Sequence, residues 1–276
     1  MVMPMNHFYH DLIEKLKIVR HEPHQKLLST KQVRDLTVIE LLGDLLLLVA
    51  VDSDGAIGPK EDDVVKVSGY ECGRFGSRVP LLEILASGAV PVAAFDTLMV
   101  EMKPLGMEII RGVRDELASA GLPVDFPLSR STEDNVPTRQ TGMGVVILGI
   151  VERKHLRPGS SKSKDEVICI GIAKSGPEDV VSLSDKDIAD AKDILQCSMI
   201  DGVHDILPVG SKGILFEGTE MALSAGLEFH PNMVNSINLK KSAGPSTCFI
   251  VSAVSGSLEK VRQTVPKPVH YIGSLE

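Results

Sequence analysis

The chain lacks most of the signatures that would settle its class at a glance. Its four cysteines, Cys72, Cys169, Cys197 and Cys248, show no C-x-x-C spacing. That excludes a zinc cluster or a disulfide framework and points to buried thiols in a reducing cytosol. Polar residues interrupt every apolar stretch. The longest runs only from Leu45 to Val51, far short of the ~20 residues that cross a bilayer. Asp11, Glu14 and Lys15 break up any signal-peptide core at the start. Acidic residues outnumber basic ones, 37 to 29, and no Lys/Arg-rich run or aromatic-basic interleaving tracks a phosphate backbone, which argues against a nucleic-acid partner. No P-loop is present. A cytoplasmic protein with a small-molecule ligand is the expectation.

With 276 residues and 43% hydrophobic content, the chain exceeds the usual domain of ~100–200 residues, so two domains are expected. Residues 1–33 are polar, with one amphipathic helix over Asp11 to Val19, and read as an N-terminal extension. From Leu36 buried strands and helices alternate. Strands are expected at 45–51, 63–67, 90–100, 144–151, 167–172, 247–254 and 269–272. Helices are expected at 74–87, 105–120 and 214–225, with a short one near Leu258. Ser184, three residues before Asp187, looks like the cap of another helix. The run Arg157-Pro-Gly-Ser-Ser-Lys-Ser-Lys164 reads as a solvated linker between domains 34–156 and 165–276.

Chemistry concentrates after the first long strand, in Asp52-Ser-Asp54-Gly-Ala-Ile-Gly58-Pro-Lys60. Carboxylates at i and i+2 share one side of an extended chain, a geometry suited to hard cations such as magnesium. Gly55 and Gly58 permit close approach of a phosphate, and Lys60 offers a countercharge. A solvated acidic turn is the plainer reading of D-x-D-G alone. An EF-hand does not fit, because position 12 counted from Asp52 is Asp63.

Gly73-Arg-Phe-Gly76 and Leu81-Leu-Glu-Ile-Leu-Ala-Ser-Gly-Ala-Val-Pro91 follow. In this order the segments resemble the PurM-like, aminoimidazole ribonucleotide synthetase-related superfamily, which includes thiamin-monophosphate kinase, selenophosphate synthetase and a hydrogenase maturation factor. The resemblance implies a two-domain α+β fold, with an N-terminal ATP-binding domain that forms a shared barrel in a homodimer and a layered α/β C-terminal domain. It puts Glu83 where the superfamily has a metal-binding Asp, and Pro80 inside the same helix is a departure that should bend it. Ser131-Thr-Glu-Asp-Asn-Val-Pro137 falls at the superfamily's G-G-E-T loop without its paired glycines, so Glu133 and Asp134 share one expected ligand role. His204-Asp205 and the segment Gly213 to Gly226 resemble its C-terminal ligand segment, with Asp205 as the acid.

What the resemblance implies is therefore specific. ATP and two or more Mg²⁺ ions would be held by Asp52, Asp54, Glu83, Glu133 or Asp134, and Asp205. Gly55, Gly58, Lys60, Gly73 and Arg74 would lie against the nucleotide. Lys60 would neutralise charge, and Asp54 or Asp134 would accept a proton. Within the superfamily the runs from Gly58 to Val67, Ser131 to Asn135 and Gln140 to Val145 are most similar to alpha-ribazole kinase, which implies a riboside substrate. Thr132, Asn135, Gln140, Thr141 and His204 would then contact it. Thiamin-monophosphate kinase and a non-catalytic nucleotide-binding protein are the alternatives.

Other residues have plainer readings. His7-x-x-His10 and His21-x-x-His24 are expected to be exposed side chains rather than metal pairs, and Cys72 a buried thiol rather than a nucleophile. Gly244-Pro-Ser-Thr247 reads either as a phosphate contact or as a turn before a strand. For His204 a structural role is as good a reading as a ligand one.

Overall fold

The computed structural model describes residues 13–14, 16–17, 28–41, 43–234 and 237–276. Most of the expected N-terminal helix and both N-terminal histidine pairs lie outside the described residues.

Two sheets organise the chain. The first has the order β1-β2-β3-β8-β6-β7, built from β1 (Thr30–Val33), β2 (Leu36–Glu40), β3 (Leu45–Gly55), β6 (Val90–Leu98), β7 (Leu128–Thr132) and β8 (Gly142–Glu152). All its pairs are antiparallel except β6 with β7. A two-stranded parallel patch, β4 (Ile57–Gly58) and β5 (Val65–Lys66), follows β3. Helices α1 (Gly69–Ala86) and α2 (Met107–Ser119) cover one face of the first sheet. No described element covers the other face.

The second sheet has the order β10-β12-β9-β13-β11, antiparallel throughout, from β9 (Glu166–Gly171), β10 (Val203–Pro208), β11 (Phe229–Pro231), β12 (Cys248–Ala253) and β13 (Val269–Leu275). Its central strands are continuously apolar because both faces are buried. Ile168, Ile170, Phe249 and Val251 point into the large core shared with the first sheet and α3 (Ala191–Ser198). Val167, Cys169, Cys248 and Ile250 point into a smaller core under α4 (Ile214–Ser224). α5 (Leu258–Thr264) closes the fold near α3.

Several sequence expectations change here. α1 begins five residues before the expected start because Ser68 forms a capping box with Glu71, and it runs through Pro80. Ser184 does not cap a helix. The box is Asp190 with Asp193, directly ahead of the apolar positions Ile194 and Cys197 that α3 buries. β1 falls within the stretch expected to be an appendage, yet it pairs with β2 along its whole length. The first half of the segment 157–164 is tied to the body of the protein, and Lys162 to Lys164 are exposed. The Arg157 amide donates to the Ser87 carbonyl, the Gly159 amide to Asp205, and the Arg157 guanidinium to the carbonyls of Ser198, Val203 and His204.

No helix among the described residues is long and apolar enough to cross a membrane.

Candidate functional site

Along β3, Leu46, Leu48 and Ala50 form the buried stripe that faces the helices, and Asp52 and Asp54 continue it on the same side. Past the end of the apolar core, that stripe opens into a cleft of about 860 Å³ between the two sheets, a volume typical of small-molecule sites. Its first wall comprises Arg34, Asp35, Asp52 and Asp54 with Ile57, Cys72, Phe75 and Val79. Gly76 makes the approach of α1 possible, since a β-carbon there would lie 2.6 Å from Asp54 Oδ2. The opposite wall is hydroxyl-rich and belongs to the second half: Ser175 and Gly176, the loop Gly210 to Lys212, Glu217 and Glu220 on α4, and the turn Ser242 to Ser246.

The carboxylates of the cleft are under electrostatic stress. Burial raises Asp52, and burial together with the Asp52 charge pushes Asp54 up to about 6. Glu83, buried on α1, is pushed up to about 8 by burial and by the charges of Asp35 and Glu217. Glu217 is held near 7 by burial and Asp35. Excess negative charge of this kind, on hard oxygen donors with few cationic partners, suits divalent cations. Among the described residues no three acidic, histidine or cysteine side chains converge tightly enough to form a closed metal cage.

Asp52 and Asp54 are the expected ligands that the structure places on the cleft wall, which Asp35 and Glu217 also line, while Glu83 is buried on α1 outside that lining. Asp205 does not. It is fully buried on β10, and both its oxygens are taken: Oδ1 by Arg34 Nη1 at 3.1 Å and the Ile206 amide at 2.8 Å, Oδ2 by Arg34 Nη2, the Gly159 amide at 3.1 Å and Ser161 at 3.4 Å. No lone pair remains for a metal.

Glu133 and Asp134 also lie elsewhere. In register, Asp54 pairs with Met143, Met143 with Leu98, and Leu98 with Thr132. Three strand spacings, roughly 14 Å, therefore separate Thr132 from Asp54. Asp134 accepts from the Met102 amide at 2.6 Å, which ties the loop to the segment after β6, and Glu133 accepts from the Asn135 amide of its own loop at 2.7 Å.

The Lys60 ammonium sits 2.7 Å from Glu101 and 3.0 Å from the Thr138 carbonyl, outside the cleft lining. Gln140 donates to the Asp62 carbonyl, and Thr141 is stapled to buried Asp63 through its amide and hydroxyl, each at 2.7 Å. Gly58 is required by that staple, because a β-carbon there would fall 2.3 Å from Thr141 Oγ1, and Gly55 lines a separate shallow depression. His204 is held by Asp165 at 2.8 Å and faces a different groove. Gly73 and Arg74 serve helix packing. A β-carbon at Gly73 would lie 2.0 Å from the Ile109 carbonyl oxygen, and Arg74 and Arg78 share buried Glu116 at 2.7 and 2.9 Å. Burial raises the Cys72 thiol to about 12, as befits an inert side chain, and all four cysteines are buried.

Sequence reasoning missed Arg34, Asp35 and Glu217. Arg34 and Asp35 occupy the two-residue turn joining β1 to β2, which the polar look of the N-terminal stretch concealed. Glu217 stands in the first turn of a helix that had been recognised.

Two layers of sheet and helix enclosing an acidic cleft make this an α+β protein with a PurM-like fold. The solved structures it resembles include AaThiL complexed with AMPPCP and TMP, at 13% identity and a TM-score of 0.63, covering 95% of this chain and 89% of that one. Thiamine-monophosphate kinase from Stenotrophomonas maltophilia K279a aligns at 12% identity and a TM-score of 0.58, covering 96% and 92%. T. maritima PurL complexed with AMPPCP aligns at 17% identity and a TM-score of 0.60, covering 86% of this chain but only 41% of that one. No family model and no curated protein matches the sequence.

Proposed function

We propose that this protein is an ATP- and Mg²⁺-dependent phosphotransferase acting on a small molecule in the cleft between its sheets. One observation carries the reading: the buried stripe of β3 turns from leucine to Asp52 and Asp54 where it enters the cleft, within the field of Asp35, Glu83 and Glu217. Carboxylates alone repel a polyphosphate, so such a wall makes sense for binding nucleotide only with divalent cations between them. Asp52 and Asp54, with Glu83 behind them, are the residues that would hold those cations, which supply charge neutralisation. AaThiL was solved with a nucleotide analogue and TMP, and PurL with nucleotide analogues, which supports nucleotide as the class of ligand.

The chain's own contribution is positioning. Phosphoryl transfer needs alignment more than covalent chemistry. Asp54, on the cleft wall, would orient the acceptor hydroxyl towards the cation-held phosphate. Ile57, Phe75, Val79, Phe216 and Pro245 offer an apolar slot for a ring system. Within this class our specific candidate is alpha-ribazole, phosphorylated on its 5′-hydroxyl. Thr132, Asn135, Gln140, Thr141 and His204 drop out as its contacts on their placement, and the hydroxyl-rich second wall takes that role.

The test is incubation with Mg-ATP and either alpha-ribazole or thiamin monophosphate, following phosphorylated product by mass. Product from alpha-ribazole is expected. Product from thiamin monophosphate alone replaces the acceptor but keeps the class, whereas no product from any acceptor, with ATP still bound, overturns the kinase reading.

A further inference from the structure

The second wall of the cleft contains a feature that metal chemistry leaves unused. The loop Gly210 to Gly213 and the turn Ser242 to Thr247 are tied together, with the Ala243 amide donating to the Gly210 carbonyl at 3.1 Å. A β-carbon on Gly213 would sit 2.7 Å from the Lys241 carbonyl oxygen, so the two segments touch backbone to backbone. Between them opens the N-terminus of α4. No side chain caps that helix, and of its first three amides only that of Leu215 reaches a described acceptor, the Leu239 carbonyl at 2.8 Å. Uncapped helix amides carry a partial positive charge and seek an acceptor.

Ser246 provides an independent sign of a ligand. Its residue is only 2% exposed, it lines the cleft, and its hydroxyl donates to none of the described residues. Its backbone sits at φ 53°, a left-handed conformation that a serine adopts at a cost. The little surface that Ser246 keeps lies on the cleft, and its hydroxyl, with no partner among the described residues, has the character of a binding group. Lys212, next to the same amides, lies over the Phe216 ring at 4.1 Å and forms no ion pair with any described carboxylate.

We infer that Ser246, the free amides at the start of α4 and Lys212 form an oxyanion cradle that binds a phosphate group in the cleft, opposite the Asp52–Asp54 wall. This deepens the phosphotransferase reading and rests on the same cleft. Hydroxyl, amide and ammonium donors along one wall of the cleft suit the oxygens of a phosphate. Glu217, in the first turn, has its carboxyl engaged by the Gly210 amide at 3.4 Å. The phosphate has two possible sources, the nucleotide or an anionic group on the acceptor.

The experiment uses inorganic pyrophosphate, titrated calorimetrically into the full chain with Mg²⁺ present, because the acidic wall of the same cleft repels the free anion. The wild type is expected to bind, and Ser246→Gly and Lys212→Met to weaken binding at least roughly fivefold each, the loss of one charge-assisted or hydroxyl donor. Ser246→Gly removes the hydroxyl while relieving the left-handed backbone, so its fold is retained. Absence of pyrophosphate binding by the wild type, or unchanged affinity in both variants, overturns the cradle. The same variants then separate the sources. A raised Kd for Mg-AMPPCP assigns the cradle to the nucleotide, and a raised KM for the acceptor alone assigns it to the acceptor. Pyrophosphate affinity that depends on Ser246 in a protein that turns over no acceptor would sink the kinase reading and leave the cradle standing.

Discussion

At the scale of single residues, the site is a problem of carboxylates held where they are uncomfortable. Asp52→Asn or Asp54→Asn is expected to lower turnover at least ~100-fold, as removal of a principal electrostatic group does, while circular dichroism stays that of the wild type. Near-wild-type rates in both variants would remove these residues from the chemistry. Glu83 gives a pH signature. Its folded value, near 8, lies above the ordinary 4.5, so between those values the unfolded chain releases a proton that the folded one keeps. Its contribution therefore makes stability fall as pH rises from about 4.5 to about 8 and level off above, by on the order of a few kcal/mol. Scanning calorimetry without divalent cations should find Glu83→Gln more stable than the wild type at pH 8.5, with the gap closing towards pH 5. A gap that stays constant with pH would show that Glu83 ionises normally. The Asp52/Asp54 pair was legible because alternation in a strand is a local rule. The fate of Asp205 was not, since its partner Arg34 is 171 positions away.

At the scale of elements, α1 and α2 explain why glycines and charges near a site mislead. Gly73 and Gly112 let the helices meet, with a β-carbon on Gly112 falling 2.1 Å from the Tyr70 carbonyl oxygen. Because both obstacles are backbone, Gly73→Ala should destabilise by about 3 kcal/mol or more in urea unfolding, with no direct effect on ligand affinity at temperatures where the variant remains folded. An unchanged urea midpoint would show that the helices separate freely. A short-spaced glycine pair reads alike in sequence whether it serves a phosphate or a helix crossing. Likewise, Ser184 with Asp187 and Asp190 with Asp193 are the same capping pattern, and only the second is followed by residues that bury a helical face. Most strand and helix positions in the core were legible from apolar runs, but buried β10, interrupted by His204 and Asp205, was not. β7 and β11 were not, being short and half exposed at sheet edges.

At the scale of the whole molecule, the uncovered face of the first sheet stands out. Val51, Val146 and Phe95 lie in one cross-strand row, with Leu47, Ile150 and Val90 in another, and Val51 is 62% and Val90 65% exposed. A contiguous apolar face of this kind marks an interface, and a second copy of the chain is our proposed occupant, in keeping with the barrel that the sequence resemblance implies. Sedimentation should show a dimer, and Phe95→Glu combined with Val51→Asp should yield a monomer with the circular dichroism of the wild type. A monomeric wild type at tens of micromolar would rule the pairing out.

The clasp between Arg34 and Asp205 ties the β1–β2 turn of the first half to β10 of the second, and α1 packs against α3 and β10 within one continuous core. The halves therefore lack the freedom to swing as jaws. Whatever enters the cleft finds its two walls already at working distance, and little orientational entropy is left to be lost on binding. Selectivity then falls to the rim. Val64 of the first half and Val180 of the second, both largely exposed, line the cleft, and the 172–190 segment bearing Val180 contains no helix or strand. Any gating of this protein is a matter of that rim, and the frame beneath it works as a fixed mould.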